Sequence, residues 1–207
     1  MTDQQTIRKK SWATTTSLGF VVNDNLPLLE QVGNSHTKDE IVNRIFGMYC
    51  TAAIAYGFDR SKATQWLNTE GCLDSLTKSE QDFVAYSTGN AVPFMEQIES
   101  IWALCWSVSC VSELDFSKAC AADFVKILPD IKQDQRGSAF RDRAVLRPLL
   151  QLVSHCDLAY CLHWGCVHSG IPGKLKKVVK PYMIIERRRA LEWILSDEAW
   201  DELALDT

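Results

Sequence analysis

The chain has 207 residues, of which 46% are hydrophobic and 23% are charged, and its formal net charge is −4. This composition is typical of a soluble globular protein and excludes a disordered or fibrous chain. The longest stretches without Asp, Glu, Lys or Arg, at 100–112 and 158–173, are shorter than the ~20 apolar residues that a membrane-spanning helix needs. We therefore expect no membrane span.

The N-terminus and the cysteines together predict a cytoplasmic protein. Arg8, Lys9 and Lys10 resemble the basic start of a signal peptide, but Thr and Ser at positions 14–17 occupy the place of its apolar segment. Most of the eight cysteines lie in apolar helical patterns, and a chain of this length can bury a core without disulfides. We therefore expect reduced thiols that pack as small apolar groups.

Two capping boxes give the first helix boundaries in chain order. Thr37 with Glu40 begins a helix whose apolar residues recur at helical spacing as far as a stop at Gly57. Thr77 with Glu80 begins a shorter helix that runs through about residue 86. The reciprocal side-chain to backbone hydrogen bonds of such boxes make these the most specific local signals in the chain.

Prolines mark the helices that follow. Pro93 fits the first turn of one helix, Pro129 closes another, and Pro148 divides a long helical pattern. The predicted helices cover about 93–110, 117–127, 138–168 and 181–195. Segments 130–137 and 169–177 are predicted to be surface loops.

Strand signals are weak. Leu18–Val22 and Val178–Val179 are short β-branched patches, and no useful length of chain alternates apolar and polar residues with a period of two. We predict an all-α fold, a single compact multi-helix domain over residues 1–207 with few or no strands.

Helical periodicity places three charged residues on or beside apolar faces. Arg187 points into the middle of the apolar face of the last helix, Asp157 lies beside the apolar stripe that follows Pro148, and Glu99 lies at the edge of a tryptophan-rich face. A buried arginine needs a carboxylate partner. We expect at least one of the pairs Arg187–Asp157 and Arg187–Glu99 to be a buried ion pair, which would fix helix register or serve a chemical role.

Six His and Cys side chains between 155 and 168 suggest a metal site, but helical geometry argues against one. At ~1.5 Å rise per residue most of them are too far apart, and only His163 and Cys166 could share an ion. Two further ligands would have to come from elsewhere, and no zinc-binding motif supplies them. We predict no metal and no other cofactor, with His163 and Cys166 as the weak candidates for metal ligands.

Motifs for other functions are also absent from the sequence. It has no Gly-rich phosphate loop and no Gly-x-Ser-x-Gly elbow. Seven Lys and Arg side chains fall within 174–189, but the last sixteen residues are acidic and the pI is near 5.6. Because the acidic tail can neutralise the basic stretch, we predict no nucleic-acid binding.

Residues spread over about 5–207 carry a family resemblance. In chain order they are Glu40-Ile41 with Arg44, Leu76-Thr77 with Glu80 and Phe83, Glu99 with Trp106, Leu146-Arg147-Pro148, Asp157-Leu158 with Tyr160, His163-Trp164, Glu186-Arg187, Ala190-Leu191 with Trp193, Trp200-Asp201 and Asp206-Thr207. In this set and order the chain resembles the bacterial domain-of-unknown-function family numbered 4272.

The resemblance implies an α-helical cytoplasmic bacterial domain and brings no established reaction, cofactor or substrate. The chain departs from the family pattern at Gln151 and Ser154, where acidic residues are usual, and at Cys161, where an Arg is usual. It departs again at Arg188 and Glu192, where His and Asn are usual. If the polar cluster of the family is catalytic, these changes imply lost activity in this member; if the cluster is scaffolding, such changes are easier to tolerate.

Two hypotheses for function follow. The first is a non-enzymatic domain that binds another protein, for example an immunity or accessory protein for a toxin or effector, with Trp12, Trp66 and Trp200 as the tryptophans expected at the surface. The second is an enzyme of unknown reaction with a site built from Glu99, Asp157, His163 and Arg187. No catalytic motif supports the second hypothesis, so we favour the first. The sequence does not give the oligomeric state.

Overall fold

A computed structural model describes residues 3–29, 33–86 and 90–207. In these ranges all the regular secondary structure is helical and there is no strand, so the all-α prediction is confirmed. The α-helices are α1 Asp3–Leu18, α2 Lys38–Ala55, α3 Arg60–Glu70, α4 Lys78–Tyr86, α5 Val92–Glu96, α6 Ile98–Ser107, α7 Ser138–Arg143, α8 Leu149–Ser169 and α9 Pro181–Leu195. Short 3-10 turns lie at Leu73–Ser75, Phe124–Ile127 and Ile131–Gln133.

Contacts within the chain group it into two compact units. Unit 1 comprises Met1–Ser35, Asp115–Ala119 and Arg147–Thr207, and unit 2 comprises His36–Leu114 and Cys120–Leu146. The prediction of a single domain stays a prediction. Each unit contains one long helix that organises the elements around it.

In unit 1 the long helix is α8, which packs against both α1 and α9. Pro148 precedes its first residue, as the sequence predicted, and Pro181 begins α9 at the expected position. The core of the unit contains Leu152, Leu162, Ile184 and other fully buried side chains. Near the C-terminal end of α8, Gly165 lets the segment after α1 cross the helix at close range.

This close crossing yields a prediction for Gly165→Ala. A Cβ at position 165 would lie 2.7 Å from the carbonyl oxygen of Val21 and 3.1 Å from the Cβ of Phe20. Although Ala favours a helix over Gly by about 1 kcal/mol, overpacking against backbone should lower the free energy of unfolding by about 1 to 3 kcal/mol. Urea denaturation measures this loss. Gly173→Ala is the control, because a Cβ there meets nothing within 4 Å; equal stability of the two variants would contradict the expectation.

In unit 2 the long helix is α2, which is buried on almost every side. It packs against α3, α4, α5 and α6, and a helix surrounded in this way needs apolar residues on all faces. Both capping boxes are present: Thr37 and Glu40 bond reciprocally at the start of α2, and Thr77 and Glu80 do so at the start of α4.

Two predicted helices differ from the structure. The helix expected from Pro93 is interrupted at Gln97, so that α5 and α6 are separate helices. The helix expected over 117–127 is wrong, because the only helical residues in this range are Phe124–Ile127, which form a short 3-10 helix. The carboxylate of Asp115 accepts hydrogen bonds from the N–H and hydroxyl of Ser117, which offers the backbone a local alternative to the helix.

Helices α1 and α3 were not predicted from the sequence. The buried residues of α1 are Ile7, Arg8, Ser11 and Thr15, so its inner face is mostly polar and leaves no apolar period to detect. All eight cysteines are free thiols, and six of them are buried, as expected. The segment predicted as a loop over 130–137 contains the 3-10 turn Ile131–Gln133.

Candidate functional site

A buried ion pair joins α1 to α8 in unit 1. The guanidinium of Arg8 donates to both carboxylate oxygens of Asp157, at 2.7 to 3.2 Å. It also donates to the backbone carbonyls of Leu26 at 2.6 Å and Pro27 at 2.7 Å. Burial lowers the pKa of Arg8, but hydrogen bonding to Asp157 and its negative charge raise it, and the net shift is upward. Asp157 is therefore a structural anchor for α1 and the segment after it.

A second polar group on α8 faces α9. Arg188 donates to Nδ1 of His163 at 2.7 Å and to a carboxylate oxygen of Glu192 at 2.6 Å. It also donates to the backbone carbonyls of Leu205 and Asp206, at 3.4 and 2.9 Å, and so holds the C-terminal segment against unit 1. Because a guanidinium can only donate, Nδ1 of His163 carries no hydrogen, and the neutral ring has its proton on Nε2.

The electrostatics of this group keep His163 uncharged. Burial, together with the positive charges of Arg188 and Arg189, lowers the pKa of His163 to about 4. Burial raises the pKa of Glu192 although the two arginines oppose the shift. At neutral pH the neutral imidazole is thus an acceptor for Arg188.

Tyr160 lies between the two arginines. Its ring centroid is 4.4 Å from the guanidinium carbon of Arg188 and 5.8 Å from that of Arg8, both within the range of a cation–π interaction. Burial raises the pKa of its phenol against the influence of both cations. The structure therefore brings Asp157 and His163 together into one polar cluster with Arg8, Tyr160, Arg188 and Glu192.

The other two candidates are placed elsewhere. In unit 1 the guanidinium of Arg187 donates to the backbone carbonyls of Asp115 at 2.7 Å and Lys118 at 3.0 Å, and it lies over the ring of Phe116. In unit 2 a carboxylate oxygen of Glu99 accepts the N–H of Cys120 at 3.1 Å. The pair Arg187–Asp157 is wrong, because the charged partner of Asp157 is Arg8. The pair Arg187–Glu99 stays a prediction.

Unit 2 contains a buried ion pair that the sequence analysis did not predict. Arg44 on α2 meets the carboxylate of Glu80 through two hydrogen bonds of 2.5 and 2.9 Å, and Gln97 donates to the same carboxylate at 2.8 Å. The sequence indicated Glu80 as the capping-box partner of Thr77 and placed it, like Arg44, among the residues of the family resemblance, but it did not pair the two. The pair could have been predicted from the residues around Arg44: they are apolar, so Arg44 lies on a buried face of α2 and needs a carboxylate partner.

These geometries favour a scaffolding role for the four candidates. Exposed fractions are 3% for Asp157, 6% for His163 and 1% for both Arg187 and Glu99. Their bonds run to neighbouring side chains and backbone, so the groups that would contact a substrate are engaged internally. The two tryptophans Trp66 and Trp200, expected at the surface, are buried, which corrects that prediction; Trp12 is half-buried.

The surroundings of His163 do not favour metal binding. A guanidinium already occupies Nδ1, and its positive charge disfavours a cation beside it. Within the described ranges, no three His, Cys, Asp or Glu side chains converge as metal ligands do. In the same ranges, none of the helices is both long enough and apolar enough to cross a bilayer.

These observations define the class of the protein: it is a helical protein whose helices are joined by buried arginine and carboxylate side chains. The chain belongs to the family described as domain of unknown function DUF4272, whose model matches residues 7–203. Comparison with curated proteins and with solved structures found no match.

Proposed function

We propose that the protein is a non-enzymatic interaction domain of the bacterial cytoplasm that binds another protein, for example as an immunity or accessory protein that binds a toxin or effector. The observation that carries this proposal is a small aromatic patch on the acidic unit 2, in which Tyr86 is exposed and Phe83 is buried. The negative charge of unit 2 and the burial of the candidate catalytic residues also support it.

Charge divides unequally between the units. Unit 2 contains 14 Asp and Glu against 10 Lys and Arg, whereas unit 1 contains 12 of each, so the net charge of −4 belongs to unit 2. An excess of negative charge steers the approach of a basic partner and increases the association rate at low salt. The complementary partner is therefore a basic protein.

The patch lies where α4 and α5 meet. Phe83 and Phe94 stack with ring centroids 4.2 Å apart, and Tyr86 and Val92 lie between them in the sequence. Tyr86 is 70% exposed and Val92 is 50% exposed. Tyrosine is among the residues that most often dominate binding energy at protein interfaces. Because Trp66 and Trp200 are buried, Tyr86 takes the anchoring role that the sequence analysis gave to tryptophan.

The enzyme alternative has less support. An enzyme with a site at Glu99, Asp157, His163 and Arg187 needs these side chains to reach a substrate, and each is at most 6% exposed. Removing one member of a buried ion pair destabilises a protein whether or not the pair is catalytic, so loss of activity in such variants would not by itself identify a site.

The experiment places a photo-crosslinking amino acid at position 86 in the host. The control is position 178 in unit 1, since Val178 is also about half-exposed. We expect one polypeptide to crosslink at 86 and not at 178, and mass spectrometry gives its identity. With that polypeptide purified, Tyr86→Ala should weaken binding about tenfold, and added salt should reduce the association rate.

Three results would contradict the proposal. The first is turnover of a substrate by the purified chain alone. The second is equal crosslinking at 86 and 178, and the third is full affinity of Tyr86→Ala for the crosslinked polypeptide; either of these would leave the aromatic patch without a role.

A further inference from the structure

A groove of about 410 Å³ opens on the surface of unit 2. Its walls come from the C-terminal half of α2 and the turn after it, from the first half of α6, and from the two 3-10 turns Phe124–Ile127 and Ile131–Gln133. The volume lies within the range of roughly 300 to 1,000 Å³ that small-molecule sites occupy. The size of the groove therefore fits a small ligand.

The buried side chains that line the groove form an apolar floor. Ile101, Phe124 and Ile131 line it and are buried. The hydroxyl of Tyr49 is already engaged, since it donates to the carbonyl of Pro129 at 3.2 Å. Burial raises the pKa of this phenol to about 12, so it remains neutral. At the rim, the ring of Tyr56 is 62% exposed. A ligand body would therefore contact aliphatic and aromatic surface.

The lining of the groove includes one cationic side chain. Of the described residues that line it, Lys132 is the only charged one. The nearest carboxylate in sequence, that of Asp130, accepts the backbone N–H of Lys132, and no ion pair joins it to the Lys132 ammonium among the described residues. The ammonium is thus available to an anionic group.

We propose that this groove binds a small apolar molecule that carries one carboxylate, with the apolar body on the floor and the carboxylate at Lys132. The site is separate from the aromatic patch at Tyr86, and it does not depend on the function proposed above. The charge of Lys132 orients the ligand by attracting its carboxylate, and contact with the apolar floor supplies most of the binding free energy.

The test compares three probes that share one chain and differ in the head group: decanoate, decanol and decylammonium. Isothermal titration calorimetry measures their binding to the full chain below micelle-forming concentrations. We expect decanoate to bind about fivefold more tightly than decanol, as a surface ion pair allows, and decylammonium to bind least. Lys132→Met should reduce decanoate to the affinity of decanol, whereas Lys126→Met, on the adjoining turn but outside the groove lining, should not.

A second pair of variants tests the groove itself. Ala53→Trp fills it and should reduce binding of all three probes more than tenfold. Ala139→Trp makes the same substitution at an exposed position on α7 and should leave binding unchanged. Equal affinities for the three head groups, full binding by Ala53→Trp, or no binding of any probe would each overturn the proposal. The Lys132 comparison keeps the test valid even if Ala53→Trp does not fold.

Discussion

Replacing Asp157 by Asn is expected to lower the free energy of unfolding by about 3 to 5 kcal/mol. The substitution removes the counter-charge of Arg8, whose guanidinium is buried with the pair side chains only 3% and 4% exposed. Leu26 and Pro27 offer Arg8 only carbonyl oxygens, so its charge would be left uncompensated. Urea denaturation followed by far-ultraviolet circular dichroism measures the loss.

The chain provides a matched control for this variant. Lys78 and Asp82 form an ion pair on α4 whose side chains are 78% and 50% exposed, so Asp82→Asn should cost no more than about 0.5 kcal/mol. The double variant Arg8→Met, Asp157→Leu should recover much of the lost stability, because it leaves no buried charge. A loss below about 1 kcal/mol in Asp157→Asn would show that water reaches the pair.

Stability is expected to fall as the pH falls from 6.5 towards 4, because of His163. A histidine in the unfolded chain has a pKa near 6.5, whereas burial and the nearby arginines lower the pKa of His163 to about 4. Between these values the unfolded state binds more protons, so stability increases with pH through this window. At about pH 4.5 the loss from this residue alone is roughly 2 to 3 kcal/mol.

His163→Asn tests this origin, because its side-chain oxygen can accept from Arg188 and does not titrate. Unfolding measured at several pH values should show a shallower slope between 4.5 and 6.5 in this variant than in the unaltered protein. His168→Asn, at the exposed end of the same helix, serves as the control and should keep the original slope. If His163→Asn also keeps it, other groups are responsible for the pH dependence.

The sequence predicted helices best where local chemistry marks their ends. The capping boxes at Thr37 and Thr77 and the prolines at 148 and 181 are local signals, and the structure has helix boundaries at each. In contrast, α1 buries Arg8, Ser11 and Thr15, and only tertiary partners make such a face favourable inside a core. Periodicity alone cannot reveal a helix of this kind.

The candidate site shows the same limit. Helical geometry correctly placed Asp157 and Arg187 on buried faces, because periodicity specifies the orientation of each residue on its own helix. It could not specify which distant side chain lies opposite, and the partner of Asp157 is 149 positions away. Arg188 was noted as part of the basic stretch and as a departure from the family pattern, yet it connects His163, Glu192 and the C-terminal segment.

Unit 1 is built from segments that are far apart in the sequence, so α1 leaves the ribosome long before α8 and α9 are synthesised. At typical rates of translation, roughly 7 to 30 s pass between the synthesis of Arg8 and the synthesis of Asp157, which is 149 positions later. During this interval the continuous helices of unit 2 can fold, whereas the inner face of α1 stays in water. That face carries one apolar side chain, Ile7, beside Arg8, Ser11 and Thr15, so the nascent helix exposes little surface that could aggregate.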